Sequence, residues 1–193
     1  SHLNIQLDGY LQWVNNYIFD QPTGRNITVV SGAYPVFQYR QTRAFFQGVD
    51  LDAHIRPISA LDYHLVSAMI WARELPSHTY LPYIPSFRLT QSLTWKLPVW
   101  KALQPKISLN HRFVAKQTRF NPATDLIPFT PAAYHLMGFE ASLSVPMREG
   151  MSLRMSLMGD NILNHEYKEY TNRSRYYAHD MGRDVRFIIT WNF

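Results

Sequence analysis

The chain has 193 residues, enough for one domain of ordinary size, and 19 Lys and Arg against 14 Asp and Glu give a formal net charge of +5. It contains no cysteine, which excludes disulfide bonds and thiol chemistry, and no basic run that would indicate a nucleic-acid partner. No stretch of roughly 18 apolar residues occurs, so no membrane-spanning helix is predicted. Aromatic residues make up 15% of the chain, and the 12 Tyr and 5 Trp are types that concentrate at membrane–water interfaces.

Apolar and polar residues alternate with a period of two along most of the chain, which predicts β-strands. Eight such segments occur, at about 2–19, 36–56, 62–73, 86–97, 105–119, 133–146, 151–162 and 185–193. The third is apolar on both faces near its middle and is the weakest of the eight. In the last segment one face carries Val185, Phe187, Ile189, Trp191 and Phe193. Most of these segments are long for a soluble sandwich and suit strands that cross a bilayer.

Short and long connections alternate between the predicted strands. The short ones are 57–61, 98–104 and 147–150, and the long ones are 20–35, 74–85, 120–132 and 163–183. Outer-membrane barrels have short periplasmic turns and long extracellular loops. The predicted fold is therefore all-β, an antiparallel transmembrane β-barrel segment of about eight strands with its C-terminus at the periplasmic side.

The C-terminal stretch 159–193 resembles the end of TonB-dependent outer-membrane receptors. Its NILN element (161–164) resembles the one that leaves the family's penultimate strand, and MGR (181–183) resembles the entry to the last strand. Trp191 and the terminal Phe193 resemble the signal read by the outer-membrane assembly machinery. Upstream, segments 34–53 and 81–95 resemble further parts of the family's barrel.

This resemblance implies a barrel of about 22 strands around a plug, with residues 1–193 forming its last eight strands and carrying no plug. It implies a bacterial outer-membrane protein that is not an enzyme, has no cofactor and imports a ferric siderophore, haem, cobalamin or a similar nutrient. The implied partners are the plug domain, the remaining strands, the TonB complex, lipopolysaccharide with outer-membrane lipid, and a surface lipoprotein, with no nucleic acid. The alternatives are a free-standing eight-stranded barrel acting as an adhesin, structural protein or lipid-active enzyme, and a soluble sandwich.

Candidate ligand-binding residues lie in or beside the predicted extracellular loops, where aromatic and guanidinium groups suit an anionic, partly apolar ligand. They are His78, Tyr80, Tyr83, Tyr134, His135, Arg173, Arg175, Tyr176, Tyr177 and His179. The alternative is that the tyrosines and arginines serve an aromatic belt and bind lipopolysaccharide phosphates, and that the loop histidines are solvated. No HxxxH or HExxH spacing occurs, so no metal site of that type is predicted.

Two further features concern the strands. His111 falls on an otherwise apolar face, which indicates a local protein contact. Charged residues of alternating sign on the polar faces predict ion-pair networks inside a barrel: Asp50, Asp52, Arg56, Arg88, Arg112, Glu140, Arg154 and Arg186.

Overall fold

The computed structural model describes residues 2–98, 103–147 and 150–193. Eight strands form a single sheet: β1 (His2–Val29), β2 (Gly32–Ile58), β3 (Leu61–Glu74), β4 (Arg88–Lys96), β5 (Gln104–Val114), β6 (Tyr134–Pro146), β7 (Ser152–Asp160) and β8 (Asp184–Asn192). Each strand pairs antiparallel with the next one in the chain, in the order β1 to β8. The prediction of an all-β, eight-stranded antiparallel sheet is confirmed.

Among the described residues, helical structure is limited to short 3₁₀ turns, of which Pro122–Thr124 and Arg173–Tyr176 lie in the loops before β6 and β8. In the described ranges, no helix has both the length and the apolar character needed to cross a membrane.

One face of the sheet is apolar and exposed. Leu7 in β1 is 68% exposed and Trp191 in β8 is 63% exposed, and their neighbours on the same face are similarly open. A soluble β-protein buries such a face against a second layer of secondary structure. Among the described residues no second sheet covers it, so the apolar face stays open.

The sheet is open in the part of the chain that the structure describes. β1 pairs with β2 alone and β8 pairs with β7 alone, so one edge of each lacks a strand partner. A closed eight-stranded barrel would instead pair β1 with β8. The structure therefore does not show the small closed barrel that the sequence left as an alternative.

The prediction of a long loop at 20–35 is wrong, because β1 and β2 continue through these residues as a long hairpin. Residue pairs run from Asp20 with Tyr39 to Val29 with Gly32, which leaves only residues 30 and 31 as the turn. Bulges between Val14 and Tyr17 and between Pro22 and Asn26 shift the register. Each shift breaks the period of two from which the strand end was predicted.

The bounds of several other strands also differ from the prediction. β5 ends at Val114 rather than near 119, and the buried Gln117 that follows donates from Nε2 to the Ile84 carbonyl of another loop (2.7 Å). β7 ends at Asp160, where Asn161 adopts a left-handed conformation (φ 45°).

The third strand is confirmed and its two apolar faces have a structural cause. Ala72 in β3 packs in a small core with Leu81 and Ile84 of the following loop. Ile70 packs against the same core. The loop after β3 therefore covers part of the strand's polar face, and the residues of β3 beneath it are apolar. The predicted short turns 98–104 and 147–150 include residues 99–102 and 148–149, which lie outside the described residues.

Candidate functional site

Three loops fold back onto the polar face of the sheet: 75–87 after β3, 115–133 after β5 and 161–183 after β7. They are held to each other and to the strands by two clusters of polar side chains. One is centred on Arg175 and the other on Glu169. Both contain residues that the sequence marks as candidates.

The Arg175 cluster joins all three loops. Arg175 donates from Nη2 to Asp125 Oδ2 (2.6 Å), and both side chains are only 1% exposed. Tyr176 donates its hydroxyl hydrogen to Asp125 Oδ1 (2.8 Å) and lies 3.0 Å from the Tyr83 hydroxyl. The guanidinium also lies over the rings of Tyr170 and Tyr176, at 4.8 and 4.5 Å from the centroids. A buried charge needs such a paired and hydrogen-bonded environment.

Burial in this cluster keeps the tyrosines neutral. It raises the pKa of Tyr170 to about 12, and the nearby Asp125 carboxylate adds to the effect. The pKa of Tyr176 is raised first by burial and then by its hydrogen bonds with Tyr83 and Asp125. Burial likewise raises the pKa of Tyr83. These hydroxyls therefore stay protonated and do not act as bases.

Tyr83 occupies a strained backbone position beside the same cluster. Its φ of 59° lies in the left-handed region, which is unfavourable for a bulky residue. The Arg173 guanidinium lies 5.2 Å from the Tyr83 ring centroid and also forms an ion pair with Asp20 of β1. Arg173 thus ties the last loop to the long hairpin.

The Glu169 cluster fixes the last loop to β4, β5 and β6. Glu169 accepts from Arg112 Nη2 (2.6 Å) and the Tyr134 hydroxyl (2.6 Å) at Oε2, and from Arg88 Nη2 (3.4 Å) at Oε1. The Tyr134 ring lies 4.6 Å from the ring of Tyr167, measured between centroids. The predicted ion-pair role of Arg88 and Arg112 on this face is confirmed.

A cavity of about 420 Å³ lies between the last loop and strands β4 to β8. Its polar lining includes Arg112, Tyr167, Asp160, Asp184 and Arg186. Arg186 pairs with both Asp160 and Asp184, so its charge is balanced locally. The cavity offers both donors and acceptors, which suits a polar ligand or a polypeptide segment.

The other candidates are dispersed. His78 is exposed at the tip of loop 75–87 with φ 56°, and Tyr80 accepts from Arg73 Nη2 at 3.3 Å. Tyr177 is 74% exposed beside Tyr176, and His179 lines a second, smaller cavity with Tyr134. Ligand binding by all ten candidate residues stays a prediction.

His135 lies on the opposite, apolar face and contacts His111. His111 Nε2 lies 3.0 Å from His135 Nδ1. The other ring nitrogen of His111, Nδ1, lies 2.8 Å from Gln91 Nε2. Tyr63 donates to Gln91 Oε1 (2.6 Å), which completes a polar chain across β3 to β6. The local contact predicted for His111 is confirmed.

Sequence reasoning missed Asp125 and Glu169, the acidic residues on which the two clusters depend. Isolated acidic residues within long loops were the available signal, but their partners lie up to 81 positions away, as Arg88 does from Glu169. In the part of the chain that the structure describes, no group of three or more His, Asp or Glu side chains is placed to hold a metal ion.

Comparison with known proteins finds a likeness in structure and none in sequence families. No protein-family model matches the chain, and no curated protein matches it. Among solved structures it is similar to "Copper transporter OprC", with a TM-score of 0.68 and 18% sequence identity. The match covers 98% of this chain and 28% of the transporter, so the chain spans less than a third of that protein's length. At this identity the likeness concerns the fold.

Proposed function

We propose that this chain is the C-terminal wall segment of a TonB-dependent transporter in the bacterial outer membrane. It forms the last eight strands of a larger plugged barrel, and its loops form part of the external ligand vestibule. The protein imports a scarce nutrient and performs no covalent chemistry on it. The C-terminus then lies at the periplasmic side.

The exposed apolar face is the single observation that carries this proposal. Alternate residues of β1 and β8, at opposite ends of the sheet, present large apolar side chains outward. Lipid satisfies such a surface, whereas water does not, and a β-sheet crosses a bilayer only when its edges are closed. The opposite face carries the paired charges and the loops, as expected for the interior of a barrel.

The open edges support a larger barrel. Within the described residues β1 and β8 each have an unpaired edge, and unpaired backbone groups in lipid cost several kcal/mol each. Further strands of the same barrel are the simplest partners for both edges. The fold likeness agrees, since the matched structure is longer than this chain by more than threefold.

We propose an anionic, partly apolar cargo such as a ferric siderophore, haem or cobalamin. The loops that fold over the polar face carry guanidinium groups and tyrosines, which bind such ligands through paired hydrogen bonds and ring contacts. The transporter of similar fold carries copper by its name, so a copper complex belongs among the cargoes to be tested. The plug, the TonB complex and lipopolysaccharide are the proposed partners, and a surface lipoprotein is a further one.

The test is uptake by cells that carry the full-length natural protein. Labelled ferric siderophores, haem, cobalamin and copper complexes are supplied one at a time, with and without a functional TonB gene. We expect one cargo class to enter only when both the protein and TonB are present. Equal uptake without TonB would overturn TonB dependence, and recovery of the protein outside the outer-membrane fraction would overturn the barrel proposal.

A loop variant tests the vestibule separately. Tyr177→Ala removes an exposed candidate side chain from the last loop and is expected to weaken binding of the transported cargo. Tyr39→Ala is the matched control, because Tyr39 is also exposed but lies on the β2 hairpin outside the candidate set. Equal cargo affinity of the two variants would contradict a binding role for Tyr177.

A further inference from the structure

Two Asp-x-His motifs lie on neighbouring strands: Asp52 and His54 in β2, and Asp62 and His64 in β3. Residues two apart in a strand share a face. The register pairs His54 directly with His64, so all four side chains lie on the polar face of the sheet. Antiparallel pairing of the two motifs places each histidine diagonally beside the aspartate of the other strand.

Each histidine is hydrogen-bonded through Nε2 to the aspartate of the other strand. His64 Nε2 lies 2.9 Å from Asp52 Oδ1, and His54 Nε2 is hydrogen-bonded to Asp62 Oδ1. Arg56 donates from Nε to the second oxygen of Asp62 (2.9 Å), which fixes that carboxylate. In each neutral imidazole, Nε2 therefore carries the hydrogen and Nδ1 keeps its lone pair.

A histidine that binds a metal through one nitrogen usually donates its other N–H group to a carboxylate, which orients the ring and makes it more basic. His54 and His64 both have that carboxylate in place. Among the described residues, no hydrogen bond involves Nδ1 of either ring. The ring centroids are 5.5 Å apart. Two imidazoles bound to one ion through bonds of about 2.0–2.1 Å have centroids at roughly this separation.

We propose that His54 and His64 form a two-histidine site for a divalent transition metal, with Cu²⁺ and Zn²⁺ as the ions of matching ligand preference. Nδ1 of each ring binds the ion, Asp52 and Asp62 orient the rings, and water fills the remaining positions. Two carboxylates against the single charge of Arg56 leave a net negative environment that attracts a cation. This site is independent of the proposed transport activity.

The chain offers a matched control in its other histidine pair. His111 and His135 also lie across neighbouring strands, but His111 Nε2 lies 3.0 Å from His135 Nδ1 and His111 Nδ1 is hydrogen-bonded to Gln91, so three of the four ring nitrogens are engaged. These two rings hydrogen-bond to each other and to an amide, and no carboxylate of the described residues is hydrogen-bonded to either. The two pairs therefore differ in the feature on which the proposal depends.

The experiment titrates the full-length natural protein in detergent with Cu²⁺ alone and with Zn²⁺ alone. Calorimetry gives the number of bound ions, and electron paramagnetic resonance of the Cu²⁺ form reports the nitrogen ligands. We expect His54→Ala with His64→Ala to lose one bound ion and the signal from two nitrogens. His111→Ala with His135→Ala is expected to retain both.

A second variant keeps both imidazoles and so does not depend on how the first one folds. Asp52→Asn with Asp62→Asn is expected to weaken metal affinity by about 10- to 100-fold while the number of bound ions is unchanged. Unchanged stoichiometry and spectrum in the His54/His64 variant would overturn the site. Unchanged affinity in the Asp52/Asp62 variant would overturn the role of the carboxylates.

Discussion

Arg175 shows how a residue that suggests ligand binding can instead hold the protein together. In sequence it belongs to an Arg- and Tyr-rich loop of the kind that contacts anionic ligands. In the structure it is buried against Asp125 and covered by two tyrosine rings. Its charge is already neutralised, so the exposed Tyr177 and His179 are better placed than Arg175 to meet a ligand.

Removing one partner of this ion pair has a large expected cost. Arg175→Met leaves the Asp125 carboxylate buried without its counter-ion, which typically costs about 3–5 kcal/mol. We expect a lower free energy of unfolding and faster proteolytic cleavage within 115–133 and 161–183. Arg25→Met, at an exposed position on the β1 hairpin, is the control. Equal cleavage rates in the two variants would show that the pair does not hold the loops.

The raised pKa of Tyr170 leads to a prediction for the stability of the folded protein at alkaline pH. Its pKa is about 12 in the folded protein, against about 10 for a free tyrosine. The folded state therefore holds the proton more tightly, so this stabilisation is complete below pH 10 and is lost as the pH rises towards 12. Tyrosinate absorbance should show a late-titrating group that disappears in Tyr170→Phe. A titration curve unchanged by that substitution would contradict the assignment.

At the scale of the single strand, β8 provides a direct test of which face meets lipid. Ile188 and Ile189 are adjacent and identical, and they point to opposite faces because side chains alternate along a strand. Ile189 lies on the exposed apolar face with Phe187 and Trp191, whereas Ile188 lies on the face of Arg186 and Thr190.

Arginine at these two positions should have different effects. On the lipid face near the middle of a bilayer it costs about 2–4 kcal/mol, whereas the interior of a barrel tolerates it. We expect Ile189→Arg to reduce the fraction of folded protein in outer membranes, measured by heat-dependent gel migration. Ile188→Arg is expected to have a folded fraction closer to that of the unsubstituted protein. A larger loss for Ile188→Arg would reverse the assignment of the faces.

The long hairpin of β1 and β2 is the other distinctive element. Beyond the pair of Ala44 with Glu74, β2 has no further pairing with β3, so the two strands continue as a two-stranded ribbon. Such ribbons are marginal on their own. Contacts of Phe19 in the small core and the ion pair of Asp20 with Arg173 secure its base to the loops.

At the scale of the whole molecule, the hairpin turn 30–31 and the loops 75–87, 115–133 and 161–183 lie at one end of the sheet, and the β2–β3 turn lies at the other. Residues 1–193 contain no cysteine, so a single cysteine introduced there is the only thiol of this segment. Ser31 lies in the hairpin turn at one end and Ser59 lies in the β2–β3 turn at the other.

We expect a membrane-impermeant maleimide to label Ser31→Cys in intact cells. Ser59→Cys should react only after the outer membrane is permeabilised, because it faces the periplasm in the proposed topology. The measurement is the ratio of labelling with and without permeabilisation. Labelling of Ser59→Cys alone in intact cells would invert the proposed orientation.

Strand number and the two faces could be predicted because they depend on local alternation. Leu7 and Trp191 reveal their side of the sheet from their immediate neighbours. The end of β1 could not be predicted, because two bulges shift the period between residues 14 and 26. The sequence shows that β3 is apolar on both faces near its middle, but the cause could not be predicted, because it depends on Leu81 and Ile84 returning from a loop.

The amino-acid sequence by itself determined the class of fold and the apolar face, since a period of two over eight segments leaves few other structures. Only the tertiary structure decided that the sheet is open and that Arg175 is buried. It also decided that His54 and His64 pair across β2 and β3, each hydrogen-bonded to the aspartate of the other strand. Strand formation follows from neighbours along the chain, whereas these contacts join residues that pairing register and loop packing bring together from distant positions.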